Sequence, residues 1–194
     1  QSNTHAQTLL LARPRGQLAT PISFGLRLAQ WAQPLLGLEA ELNEVRRVAL
    51  RVQFGGASGN RRVLGRQGTV VAGKLAEELE LRDSPPWHTD RSGIHRLASW
   101  LSRCVAALAK IGRDFSISSR GEVAEIRASN GGGSSTMPHK SNPVTGEALQ
   151  SISAMAVAFE AGLSASSVHA EERDGAMWPV EWALMPMSFE AAGA

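Results

Sequence analysis

From Leu35 to Val52, apolar side chains recur in steps of three and four: Leu35, Leu38, Leu42, Val45, Ala49 and Val52. The period of an α-helix puts all six on one stripe, a heptad-like seam. The spacing returns at Ile94, Leu97, Leu101, Val105, Leu108, Ile111 and Phe115, and again at Ala148, Ile152, Met155, Phe159 and Gly162. A shorter helix fits Thr69 to Leu81, stopped by Ser84-Pro85-Pro86. Pro34, just ahead of the first seam, should kink or restart that helix. No stretch alternates with period two, so no major sheet is expected. Long helices with narrow stripes pack side by side. The expected fold is all-α, a long-helix bundle forming one domain over residues 1–194, with other subunits covering the remaining apolar surface.

Composition removes several classes of function. The 194 residues carry a formal net charge of +2, and the basic side chains are scattered rather than clustered. A nucleic-acid partner is therefore not expected. Cys104 is the only cysteine, which leaves no disulfide framework and no thiolate metal site. No uninterrupted apolar run reaches the roughly 18 residues of a membrane span, and no signal peptide is visible. The reading is cytoplasmic, with no membrane partner. The chain opens on Gln1 without Met and stops inside the helical stretch "MSFEAAGA", so both ends read as cut and the chain as a fragment. Gly55, Gly56 and Gly59 lack the Lys-Ser/Thr of a phosphate loop and read as a turn between helices.

One segment has no place in a plain bundle. Residues 130–143 read "NGGGSSTMPHKSNP". Three successive glycines give the backbone angles other residues avoid, and the freedom a closing lid needs. Lys140 and Asn142 place a cation and an amide two residues apart. Removing a proton beside a carboxylate drives negative charge onto that carboxylate, so fixed donors there lower the barrier. Backbone N–H groups of the glycine turn can add to them. Ser134 is a poor base unless a cationic, water-free setting favours its alkoxide.

"GSSTMPHKSNP", with Glu147 four residues beyond Pro143, resembles the signature of the fumarase/aspartase superfamily, Gly-Ser-Ser-x-Met-Pro-x-Lys-x-Asn-Pro followed by Glu. The resemblance implies the central helical domain of a homotetramer whose active sites are each assembled from three subunits. Its members eliminate or add across a carbon–carbon bond beside a carboxylate, so a small polycarboxylate substrate is implied, with no metal and no organic cofactor. It puts the proton-carrying role on Ser134, makes Ser135, Met137 and Asn142 substrate contacts, and places Lys140 and Glu147 in the catalytic machinery. His139 has two roles open to it, meeting substrate or capping the loop.

The superfamily's second motif, Thr-His-x-Gln before Thr-Pro, aligns on "RPRGQLATP" rather than on the upstream "THAQ" that holds His5. In that register Gln17 and Thr20 match, Pro14 stands for the Thr and Arg15 for the His. An arginine does not act as a general acid at neutral pH, but its two-pronged fork holds a carboxylate. That departure, with "VQFGGASG", "SPPWHTDR" and "HAEERDGAMWPVEW", resembles the carboxymuconate cycloisomerase group of the superfamily. The group implies cyclisation of 3-carboxy-cis,cis-muconate to 4-carboxymuconolactone in aromatic catabolism. His88 and Arg91 begin a long helix, where anions are favoured. Arg91 and Arg173 read either as carboxylate contacts or as surface arginines. An ion pair between Arg15 and Glu147 is expected. Two alternatives stay open: a fumarate-releasing lyase acting on adenylosuccinate or an aminocarboxylate, and an inactive helical assembly fragment.

Overall fold

A computed structural model describes residues 4–127, 132–133, 136–137 and 140–194. The element order is β1 (Leu9–Leu11), β2 (Pro21–Ser23), α1 (Phe24–Ala49), α2 (Gln67–Glu78), α3 (Ser92–Ser118), β3 (Gly132–Gly133), β4 (Ser141–Asn142), α4 (Val144–Ala165) and α5 (Trp178–Gly193). The four strands form two short antiparallel pairs, β1 with β2 and β3 with β4, and the rest of the regular structure is helical. The fold is the helical one expected.

The described residues form two compact units. The first comprises Gln1–Glu39 with Cys104–Ser153, the second Ala40–Arg103 with Ala154–Ala194.

In the first unit the hairpin pairs Leu9 with Ser23 and Leu11 with Pro21. Its far end is a 3-10 turn over Pro14–Gly16, with Arg15 at φ 56° and Gly16 at φ 79°. Two forked hydrogen bonds, of 2.9 and 2.5 Å, tie Arg13 to Glu125, and Arg27 reaches the same carboxylate at 3.4 Å. These cations hold the Glu125 carboxyl below its ordinary 4.5, the Arg13 bonds contributing most. α1 starts at Phe24, where Ser23 Oγ accepts from the Leu26 amide at 3.1 Å. The helix runs unbroken through Pro34 instead of restarting there. Trp31, on its first part, donates Nε1–H to Asp114 on α3 at 2.7 Å.

α3 and α4 approach closely within this unit because two glycines face each other. A methyl on Gly146 would lie 2.5 Å from the Gly112 carbonyl oxygen, and one on Gly112 would lie 3.1 Å from that of Gly146. Larger residues at either position would separate the helices.

The second unit buries Val45, Val52, Ala72, Ala76, Ala98, Leu101, Ala156 and Leu163. Val52 also bonds through its amide to the Arg82 carbonyl at 2.9 Å. Gly56 and Gly59 take positive φ, and a side chain on Gly55 would fall 2.6 Å from His88 Cε1, so the turn needs glycine for both angle and room. Trp87 lies between two guanidinium groups, Arg51 at 5.0 Å and Arg91 at 5.1 Å from its ring centre. His95 is exposed rather than packed, and its Nε2 lies 2.6 Å from Ser164 Oγ. Trp182 stacks on Trp178 and stays 68 per cent exposed.

Among the described residues α4 is the one helix with the length and composition of a membrane span. Only 11 per cent of its most apolar window is buried. Its 22 residues include two charged side chains, Glu147 and Glu160, and its apolar residues are interrupted by Ser and Gly rather than forming one run.

Candidate active site

The described part of the glycine-rich segment is held by pairing of Gly132 with Asn142 and Gly133 with Ser141. A side chain on Gly132 would lie 2.6 Å from Val144 Cγ2, so this pairing needs glycine on sequence grounds as well. The Lys140 amide donates to the Met137 carbonyl at 2.9 Å, turning the chain into β4. Pro143 ends that strand and opens α4, where its carbonyl accepts the Glu147 amide at 3.0 Å. Glu147 therefore stands in the first turn of α4, where the unpaired N–H groups favour a carboxylate.

These residues converge on a cleft of about 970 Å³ within the first unit. Lys140, Asn142 and Glu147 line it, and so do Arg113, Arg120 and Arg127. Four cations face a single carboxylate. A concave site with that balance concentrates small anions, and its volume suits a compact organic acid. Asn142 adds a neutral amide able to donate to a carboxylate oxygen.

Ser134, Ser135 and His139 lie outside the described residues. Met137 is 41 per cent exposed beside the Lys140 turn. Arg15, Gln17 and Thr20 sit at the exposed end of the β1–β2 hairpin and do not line the cleft. Among the described residues no Arg15–Glu147 ion pair forms within the chain. A second, smaller cavity of about 520 Å³ in the same unit is lined by His5, Arg27, Glu125 and Arg127. His5 there lies 3.4 Å from Thr8 Oγ1.

The remaining expected site residues belong to the second unit. His88 is buried, with Nε2 2.9 Å from the Gly56 carbonyl and Nδ1 enclosed without a partner. Arg91 meets a carboxylate, but it is Glu181 of the same chain. Arg173 donates to the Gly56 carbonyl at 3.2 Å and lies over the Trp178 ring at 4.9 Å. Asp90 accepts the Ser92 amide at 3.0 Å and caps α3. Bonds from Ser92 and the Arg51 charge lower the Asp90 carboxyl from its ordinary 3.8. Among the described residues no three His, Cys, Asp or Glu side chains gather as metal ligands.

Sequence reasoning passed over Arg113 and Arg120. The signal was available for Arg113, which with Ser116 and Ile117 follows the i, i+3, i+4 rule on one face of α3; Arg120 comes just beyond the end of that helix. The reading followed the apolar stripe of that helix and left its polar face unexamined.

The described residues combine long helices with a cationic cleft beside the Lys-x-Asn-Pro turn. The chain belongs to the lyase family of the fumarase/aspartase superfamily, whose model matches residues 1–158. It is 39 per cent identical over 189 residues to a 3-carboxy-cis,cis-muconate cycloisomerase of Bradyrhizobium diazoefficiens, covering 95 per cent of this chain and 42 per cent of that protein. A cycloisomerase of the same name from Pseudomonas aeruginosa is 40 per cent identical over 190 residues, or 96 per cent of this chain and 41 per cent of the relative. Among solved structures, the 3-carboxy-cis,cis-muconate lactonizing enzyme of Pseudomonas putida superposes with a TM-score of 0.89 at 35 per cent identity. That match covers all of this chain and 43 per cent of the other. The chain thus spans less than half the length of these relatives.

Proposed function

We propose that this chain supplies the central helical part of a cycloisomerase that converts 3-carboxy-cis,cis-muconate to 4-carboxymuconolactone in aromatic catabolism. The observation that carries the reading is the signature "GSSTMPHKSNP", whose Lys140 and Asn142 line a cleft rich in arginine. The relatives named cycloisomerase support the choice of reaction.

One carboxylate of the substrate is already ionised at neutral pH and needs no base. Its oxygen adds to the ring-closing carbon, the double bond's electrons move toward the neighbouring carboxylate, and a proton is delivered to carbon. Ser134 delivers that proton and regains one from solvent. Lys140 and Asn142 hold the carboxylate on which charge builds, and a cation there stabilises the transition state more than the ground state. Ser135, Met137 and His139 shape the same loop side of the site.

Arg15, Gln17 and Thr20 approach substrate from another subunit of a homotetramer, where Arg15 faces Glu147. Arg173 faces the substrate anion in that assembly, while His88 and Arg91, engaged by the Gly56 carbonyl and by Glu181, hold the framework behind it. The enzyme is cytoplasmic and uses no cofactor.

The test is Ser134→Ala in the assembled enzyme, followed by loss of diene absorbance from carboxymuconate. The variant should slow turnover about 10²–10⁴-fold, the range for removing a positioned proton-transfer group. Full turnover in that variant would end the proposed chemistry. Fumarate released from adenylosuccinate or an aminocarboxylate would instead select the alternative lyase reaction.

A further inference from the structure

We propose that Arg113, on α3, and Arg120, just beyond its end, are specificity residues that make the cleft discriminate ligands by their number of carboxylates. This rests on the reading of the cleft as the substrate site.

The first unit deals with its arginines in two ways. Arg13 and Arg27 are tied to Glu125. Arg113, Arg120 and Arg127 form no ion pair among the described residues, and all three line the cleft. An arginine with a carboxylate partner is already satisfied and has little left to offer a ligand. An arginine without one presents its whole fork.

Both residues line the same cleft, which gives them a joint role. Arg113 lies on α3, whereas Arg120 follows two residues beyond Ser118, the last residue of that helix, so the two forks reach the cleft from different stretches of backbone. Ser116 and Ile117, between them in sequence, line it too. Long arginine side chains from both stretches can converge on one small ligand while gripping different groups of it. Lys140 and Asn142, which line the same cleft, already provide for one carboxylate. A ligand with two carboxylates then engages one fork, and a ligand with three engages both. Glu147 is the one carboxylate among the lining residues and repels a ligand held too near the start of α4.

Single exposed ion pairs contribute little in water. The discrimination comes from several forks acting inside a concave wall, where the field is focused. Neither arginine touches the reacting atoms in this scheme; each sets which acid is held.

Isothermal titration calorimetry on the assembled enzyme, at constant ionic strength, tests this with two saturated acids that cannot react. Succinate has two carboxylates and tricarballylate has three. Wild-type protein should bind tricarballylate about tenfold more tightly than succinate, the value of one added charge-assisted contact. R113Q and R120Q should each reduce that ratio, and the double variant should bring it to about one, with succinate affinity itself about tenfold weaker because its one fork is also lost. R120K should recover part of the ratio, because it restores charge without the fork. R62Q, a change outside the cleft, should leave the ratio alone. A double variant that keeps the wild-type ratio, or wild-type protein with no preference, overturns the proposal. Its failure is separable from that of the cycloisomerase reading. If Ser134→Ala stops turnover while the double variant keeps the ratio, only the carboxylate discrimination falls. If turnover survives that change while the ratio collapses, the chemistry falls and the anion site stands.

Discussion

Arg91 and Glu181, ninety residues apart in sequence, close a two-pronged ion pair inside the second unit. Arg91 Nε lies 2.7 Å from Glu181 Oε1, and the two side chains are 8 and 9 per cent exposed. The enclosed ring of His169 lies 3.7 Å from the same carboxylate. Two charges so little hydrated depend on each other. Removing either one strands the other, so Glu181→Ala should destabilise the protein by about 3–5 kcal/mol. Urea unfolding measures this. The double change Arg91→Met with Glu181→Met should recover most of the loss, because neither charge is then buried alone. A double variant as unstable as the single one would show that the pair does more than cancel its own burial.

Gly146 is a packing position rather than a hinge. Its missing side chain lets α4 close on the Gly112 carbonyl, 2.5 Å from where a methyl would stand. Gly146→Ala should lower stability by about 1–3 kcal/mol through overpacking, despite alanine's better helix propensity. Thermal unfolding that leaves the midpoint unchanged or raised would contradict the close approach.

The hairpin carrying Arg15 is held by a carboxylate with a depressed pKa. Arg13 lowers the Glu125 carboxyl from 4.5, so its stabilising effect is complete above pH 4.5 and fades as pH falls through the lowered value. NMR titration of the Leu10 and Ile22 amides should show an acid-side step as the hairpin loosens. Glu125→Gln should remove that step and loosen the hairpin at neutral pH too. A step that persists in the variant would place the titrating group elsewhere.

Arg15 and Glu147 do not meet within the chain, and the proposed contact is between subunits. Turnover of Arg15→Met, Glu147→Gln and the double variant should show a coupling of about 0.5–3 kcal/mol, as for residues in contact. Coupling near zero would remove the contact from the mechanism.

Much of the helical layout was legible because its signal is local. The spacing from Ile94 to Phe115 falls inside α3, and the expected helix from Thr69 to Leu81 overlaps α2 at 67–78. The start of α1 at Phe24 was missed, because its first turns lack the seam and Pro34 looked like a boundary. In α4 the expected stripe was rotated: Met155 is 48 per cent exposed, whereas Ala156 and Leu163 are buried. Periodicity favours large apolar residues, but close packing at Gly146 and Gly162 selects small ones.

The candidate site divides in the same way. Lys140, Asn142 and Glu147 are close in sequence, and their convergence on one cleft follows from a short strand and a helix start. The partnership of Arg91 with Glu181 had no local signal at all. Nor did the clamp of Arg13 on Glu125, which joins positions 112 residues apart.

α4 also governs how a solitary copy of this chain behaves at the bench. A greasy rod facing solvent clings to resin, plastic and detergent, and rising sulfate drives it out of solution early. A preparation that keeps its helical signal while losing material to the walls of the tube would be showing that exposed rod, not an unfolded protein.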